Sequence, residues 1–463
     1  MKLTHLAEPP LQFGNSLSYD VYDPVYGLHR LGPFDWTRGR SFNSLSVVAI
    51  GPQSAQDSLA NFWQKVIEGV ERLQYEPEFK GLKEIYQLED ITAITNSNFV
   101  AIDGFQGSTE DRYAAATDYS IDNFEFDLLL IVEAEECVYY LHDLLKRTLI
   151  AKDVPSQYVE LDTLNMAEQG SVLNNFAVAS YAKAGGIPWQ LESPAITNSC
   201  IVGVSFHLLK ATPPSQGQRT VIGIAEMVDE FGLHLNMSVS QVEVPYEQIK
   251  QFRREFNALY VPRDLMERLV KDVLSKFSHR PDLALPERLI IHKTTSFHEE
   301  EISGLQAALE ELRADMEYAL VHIKEETIHR VYREEDKGAV RGMLLTLRDD
   351  FPEAVLWTVG KVPFRYKKDG AWEYYEKSGT KIGTSDPIVV HLDQASRCPS
   401  FDLRKAALQI LGLTKMRWNT VELSIRLPAS IYFSRRAGKF VANAMRHSST
   451  LAFVEKVDAR HFL

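Results

Sequence analysis

The chain is short of cysteine: three in 463 residues, Cys137, Cys200 and Cys398, all far apart. That spacing makes neither a zinc site nor a disulfide framework. Long apolar runs are missing as well. The most apolar stretch, "FDLLLIVEA", is well under the roughly 20 residues that cross a bilayer. The opening "MKLTHLAEPPLQFG" lacks the apolar segment of a secretory signal. No internal repeat, low-complexity tract or Gly-rich phosphate loop occurs. Together these absences predict a cytoplasmic protein with no membrane contact.

Positive charge is also scarce, and the formal net charge is −13. Taken alone, that total argues against polyanionic ligands. Its distribution argues otherwise. Residues 403–450 carry nine Lys or Arg and one acid, Glu422, a local +8 against −21 for the rest. A phosphate-binding surface needs local positive charge, not a basic total.

The chain has enough apolar residues, 45%, to fill two or three domain cores. Residues 1–43 are rich in turn formers and read as an irregular arm. Over 44–190, strands ("SLSVVAIGP", "FDLLLIVEA", "SQYVELDTL") alternate with helices ("QDSLANFWQKVIEGVERL", "CVYYLHDLLKRTLIAKDV", "SVLNNFAVASYAKAGG"). This alternation predicts an α/β, Rossmann-like domain with a parallel sheet. Over 191–463, three strands in succession ("CIVGVSFHLL", "TVIGIAEMVD", "FGLHLNMSVSQV") precede a helical stretch over 246–278. Strands and helices then alternate, with a hairpin turning at "YKKDG", a helix "DLRKAALQILGLT", a strand "VELSIRLPA" and a last helix. Three meandering strands followed by alternating elements is the order of an RNase H-like fold.

Other chemistries fit poorly. "GVSFH" lacks the second glycine of a nucleophile elbow and lies in a strand. His292, His298 and Glu299 lack the helical i,i+4 spacing of a zinc protease. Trp189 and Trp418 read as core.

Several segments in order, "DPVYGLHRLGPF", "KDVPSQYVELDTL", "NFAVASYAKAGGIPWQL", "CIVGVSF", "RLIIHKTTSFHEEEISGL" and "LTKMRWNTVELSIRLPASIYFSRRAGKFVANAM", resemble the prokaryotic Argonaute proteins. They resemble in particular the short class, made of a MID and a PIWI domain. The resemblance covers nearly the whole chain. It implies an N-terminal arm (1–43), a MID domain (44–190) and a PIWI domain (191–463).

It further implies a pocket in MID for the 5′-phosphate of a guide strand. The family motif falls on His142, Lys146, Gln157 and Lys183, with Asn175 as an added donor. His142 and Lys146 share a helix face. A terminal phosphate carries close to two negative charges and three acceptor oxygens, which two lysines and an amide can satisfy. Many relatives have Tyr at the position of His142. In the family the C-terminal carboxylate, here that of Leu463, folds into this pocket. With Gln157 it helps hold a Mg²⁺ ion bridging guide phosphates.

Active PIWI domains cut nucleic acid with three acids plus an Asp or His, which hold two metal ions. The corresponding places hold Ser205, Thr294, and, after an "IYF" strand end, Ser434 followed by Arg435. Glu226 alone does not hold two metals. The resemblance therefore implies a non-cutting protein that binds a 5′-phosphorylated guide RNA and pairs it with single-stranded target DNA. Arg417, Arg435 and Arg436 would track the backbone. It also implies an effector protein with an APAZ-like region fused to a Sir2, TIR or nuclease domain. Target pairing would trigger that effector, in defence against plasmid or phage, ending in abortive infection. The acidic helix 299–315 is a candidate face for it, or a plain solvated face. Two alternatives remain open: a guided endonuclease with a rearranged site, and a structural subunit that binds no nucleic acid.

Overall fold

A computed structural model describes residues 1–15, 20–71, 79–133, 139–164, 170–209, 218–256, 261–278, 285–312, 315–332, 338–348, 352–368, 371–377, 384–423, 425–447 and 457–463. Cys137, the Asp369–Gly370 turn of the expected hairpin and Thr450 lie outside the described residues. The chain forms two compact units. One comprises Leu11–Gln190, Arg417–Val421 and Thr450–Leu463; the other comprises Met1–Pro10, Leu191–Met416 and Glu422–Ser449. The expected arm is thus not a part of its own. Residues 1–10 belong to one unit and 11–43 to the other.

The first unit is built on four parallel strands: β1 (Val47–Gly51), β2 (Phe99–Ala101), β3 (Leu128–Glu133) and β4 (Ser156–Glu160), in the order β2-β1-β3-β4. β1 and most of β3 are buried, as expected of continuous apolar runs covered on both faces. The longest described helices beside them are α1 (Gln56–Glu68), α2 (Thr109–Asn123), α3 (Tyr139–Ala151) and α4 (Gly170–Lys183). α1 buries Leu59, Phe62, Trp63, Val66 and Ile67 on one stripe and stops at Gly69 with φ +94°, so Val70, which continues the apolar spacing, falls outside it. α4 stops just before Gly185, φ +100°. Trp189 and Trp418 are buried, as read from the sequence.

The second unit holds a nine-stranded sheet among the described residues. Its centre is β5 (Ser199–Leu208), β6 (Gln218–Asp229), β7 (His234–Pro245), β8 (Arg288–Lys293) and β9 (Glu317–Lys324). β5, β6 and β7 are antiparallel neighbours; β8 pairs parallel to β5, and β9 parallel to β8. This is the RNase H-like arrangement the strand order implied. Strands Ile388–Leu392, Glu353–Leu356, Met343–Thr346 and Lys2–His5 extend it beyond β9.

β5 alternates strictly between two faces. Cys200, Val202 and Val204 join an apolar cluster with Leu265, Leu269 and Val273 of helix α5 (Arg263–Ser278) and Leu305 and Ala308 of α6 (Glu299–Glu311). Gly203, Ser205 and His207 point the other way, onto α7 (Ala429–His447).

Two local readings need correction. "VELSIRLPA" alternates apolar and polar but forms no strand among its described residues. Its burial comes from side-chain clamps instead: the Leu423 carbonyl accepts from buried Arg341 at 2.9 Å. "IYF" is helical, in the first turn of α7, because Pro428 opens that helix and its carbonyl accepts from Ile431 and Tyr432.

Candidate functional site

Lys146 sits on α3 and Lys183 at the end of α4. Each is only 3% exposed. Burying an ammonium is costly unless polar or π groups receive it. Lys183 Nζ donates to the Ser156 carbonyl and to Gln157 Oε1, both at 2.7 Å. Lys146 Nζ lies 5.8 Å from the Tyr158 ring centre and 5.3 Å from that of Phe462. Such cation–π contacts contribute up to about 2 kcal/mol when desolvated. His142, one turn before Lys146, packs on Tyr158 with ring centres 4.2 Å apart and is about a third exposed. Burial, with Glu133 and Asp143 nearby, holds the Tyr158 phenol well above its ordinary pKa, so it stays neutral.

Gln157 and Tyr158 are consecutive on edge strand β4, so their side chains leave opposite faces. The chain's last residues bring the two sets together. A short turn, Ala459–Phe462, starts at Asp458, whose carboxylate accepts from the Arg460 amide. His461, Phe462 and Leu463 are all buried. His461 is held down to a pKa of about 3, by burial first and then by the positive charge of Lys146, Arg460 and Lys183. Both lysines therefore act on one imidazole. Asp153, in the left-handed region at φ +54°, anchors the turn. It pairs with Arg460 at 3.2 Å and lies 3.6 Å from His461 Nε2.

The arrangement thus places His142 and Lys146 beside Tyr158, and Gln157 beside Lys183, with Phe462 of the last turn against Lys146; Leu463 is buried at the end of the same turn. Asn175 stands apart. It lies about 12 Å before Lys183 along α4, and its Oδ1 accepts from the Val421 amide at 2.9 Å. Tyr158 and His461 were missed. Tyr158 adjoins Gln157 and could have been read from that; His461 gave no local signal.

A cation site is a separate question. The expected protein ligands were the Leu463 carboxylate and Gln157, but Gln157 Oε1 faces the Lys183 ammonium. Among the described residues no cluster of three or more His, Cys, Asp or Glu fits a metal ion. These side chains by themselves do not make a Mg²⁺ site.

The second place to examine is the β5–α7 seam. A Cβ on Gly203 would come 2.1 Å from the Ser430 carbonyl oxygen, and one on Gly438 would come 2.1 Å from the His207 ring. Between them Ser205 Oγ donates to the Ser434 carbonyl at 2.7 Å, and Ser434 Oγ donates to that of Ile431. Residues 203, 205 and 207 thus meet 430, 434 and 438. Two strand residues advance about 6.6 Å and four helix residues about 6.0 Å, so strand and helix stay in step. Beside the seam, buried His292 bridges Ser430 Oγ (3.0 Å) and Gln409 Oε1 (3.1 Å). Burial lowers its pKa to about 4. Lys293 and Glu301 form a buried ion pair at 2.5 Å, next to Thr294. Glu301 is therefore not part of a solvated acidic face. Glu226 is buried against His234, 2.7 Å away.

The expected backbone-contacting arginines differ among themselves. Arg435 pairs with Glu325 at 2.5 Å. Arg436 reaches the Tyr432 hydroxyl at 2.7 Å on the exposed side of α7. Arg417 is partly buried in the first unit. Lys415, counted in the basic segment, is buried against Glu8 at 2.7 Å and adds nothing to a surface field. No helix among the described residues is long and apolar enough to cross a membrane.

Comparison with known families matches residues 127–446 to the Piwi domain. Among curated proteins the chain is similar to an argonaute of Cereibacter sphaeroides, 24% identical over 446 residues, which are 90% of this chain and 52% of that protein. The chain thus spans about half the length of the curated relative it matches. Among solved structures, an argonaute of Clostridium butyricum bound to a guide DNA and a 19-mer target DNA aligns with a TM-score of 0.66, at 14% identity, over 98% of this chain and 53% of that one. The A. aeolicus argonaute aligns with a TM-score of 0.58, at 17% identity, over 94% and 53%. At these identities the structural likeness is one of fold.

Proposed function

This chain belongs to the Piwi-domain family, and from that footing we propose that it works as a short Argonaute that holds a guide strand without cutting. The observation that carries the reading is the convergence of Lys146, Lys183, Gln157 and a buried C-terminal turn on one edge of the first unit. Two buried ammonium groups match a terminal phosphate in sign and in hydrogen-bonding capacity. The strand held this way is a short 5′-phosphorylated RNA, and its target is complementary single-stranded DNA. Sequence is read by base pairing, while the protein holds phosphates.

The absence of cutting is supported by the β5–α7 seam. At Ser205 and Ser434, two of the places where acids would hold metal, the hydroxyls are hydrogen-bonded to main chain, and strand and helix meet at glycine distance. Hydroxyls without carboxylate charge are poor ligands for divalent ions. A guide-holding subunit of this kind passes target recognition to an associated effector: an APAZ-like region joined to a TIR or Sir2 NADase, or to a nuclease. The outcome is abortive infection when plasmid or phage DNA is paired. A Mg²⁺ ion at the guide end would need guide phosphates as ligands, and no step here depends on it.

The test is binding of 5′-phosphorylated and 5′-hydroxyl RNA of one sequence, followed by incubation with labelled complementary DNA and Mg²⁺ or Mn²⁺. The reading expects a clear preference for the phosphorylated strand and intact target. Equal binding of both strands would favour a purely structural subunit. Target cleavage by the lone chain would favour a guided endonuclease.

A further inference from the structure

Buried polar atoms in folded proteins are nearly always hydrogen-bonded, and an exception calls for an explanation. In the pocket that exception is His461. Its side chain is almost wholly buried, and among the described residues Nε2 has no hydrogen-bond partner. The nearest candidate, Asp153 Oδ1, lies 3.6 Å away, beyond hydrogen-bonding distance, and is itself engaged by Arg460. The positive charge of Lys146, Arg460 and Lys183 acts on the ring and disfavours its protonation. A buried imidazole nitrogen without a hydrogen bond, in the turn whose Phe462 ring lies 5.3 Å from Lys146 Nζ, suits an incoming anion.

We propose that His461 is a third protein ligand of the bound phosphate, donating from Nε2 to an oxygen that Lys146 and Lys183 leave unsatisfied. Asp153 serves it as a positioning residue: its left-handed backbone turns the carboxylate toward the 459–462 turn and sets where His461 sits. The inference rests on the reading of this pocket as the seat of a phosphorylated strand end. It adds a specificity-determining residue to that seat, contributed by a segment some 300 residues from Lys146 in sequence.

A ligand role and a structural role predict opposite effects on the free protein. If Nε2 waits for a ligand, leaving it without one is a cost to the empty fold. Leucine, of similar volume and apolar, then keeps or raises the denaturation midpoint of the free chain. If His461 is structural, leucine lowers it. Glutamine reaches about as far and retains an N–H donor, so it should restore most of the ligand effect.

The experiment measures affinities of full-length wild type, His461→Leu, His461→Gln and Lys146→Ala for 5′-phosphorylated and 5′-hydroxyl RNA of one sequence, with thermal midpoints of the free proteins. We expect His461→Leu to cut the phosphate preference about tenfold, as loss of one hydrogen bond to a charged group does. His461→Gln should cut it no more than about threefold, and neither should lower the midpoint. Unchanged preference in His461→Leu, with preference lost in Lys146→Ala, overturns the inference and leaves the pocket standing. A lowered midpoint together with lowered preference assigns His461 a structural role and also overturns it. If wild type shows no preference, the pocket reading falls and takes the inference with it.

Discussion

The two units hold their polar groups in opposite ways. In the seam of the second unit, hydroxyls and imidazole face one another: Ser205 bonds to the Ser434 carbonyl, Ser434 to that of Ile431, and His292 spans Ser430 and Gln409. In the pocket of the first unit, two ammonium groups and an imidazole gather around a turn, and one buried nitrogen has no hydrogen bond. A polar cluster that satisfies itself stiffens a fold. One that leaves a donor over is prepared for a ligand. On the proposed reading, the chain carries one closed site and one receptive site.

The strongest challenge to this contrast is to reopen the closed site. Ser205→Asp with Ser434→Asp should not create a nuclease. Two carboxylates in positions 7% and 0% exposed should instead cost roughly 5 kcal/mol. Denaturant midpoints and a cleavage assay with Mn²⁺ check both parts, and cleavage by a stable double variant would refute the seam as a barrier. Next comes the receptive site. Lys146→Ala with Lys183→Ala should remove about 3 kcal/mol of phosphate binding, roughly a hundredfold in preference, while leaving affinity for a 5′-hydroxyl strand nearly unchanged.

Acid sharpens the contrast from the closed side. His292 titrates near 4 when folded, below the usual 6.5 of an unfolded chain. Between those values the unfolded state binds more protons. Stability is therefore full above about pH 6.5, falls as pH drops toward 4, and levels off below that. By pH 5 the loss from this one residue is about 2 kcal/mol. His207 and His322, also lowered to about 4, act in the same direction. His292→Gln should flatten the pH profile of the midpoint. The smallest effect is on the rim: Arg436→Ala should weaken nucleic-acid binding only a few-fold and reduce its salt slope by about 1. Arg435, tied to Glu325, should matter less still.

Much of this was visible in the chain itself. The runs now seen as β1, β3 and β5 are apolar enough to be buried on both faces, and the stripe of α1 fixes its core side. The Lys2–His5 strand was not visible, because it is a short edge strand with mostly exposed side chains. α2 was missed for lack of an apolar stripe, although Ser108 and Asp111 form a capping box that marks its start. "VELSIRLPA" shows the reverse error: apolar and polar residues alternate, but no described residue of it pairs in a sheet, and the Leu423 carbonyl bonds to Arg341 instead. Within the candidate site, Lys146, Gln157 and Lys183 came from the family resemblance, and they lie on consecutive elements. His461 was not, because its neighbours are distant in sequence and no local period records them.

The C-terminal turn also bears on timing. A ribosome that has completed α4 must add about 280 more residues before Phe462 and Leu463 exist, which takes some tens of seconds at ordinary elongation rates. The first unit can collapse around its parallel sheet in that interval. The proposed phosphate seat still lacks His461 and Phe462. On the proposed reading, a nascent chain at that stage carries the residues of the sheet and lacks one wall of the seat, so strand-end discrimination depends on residues made long after the sheet.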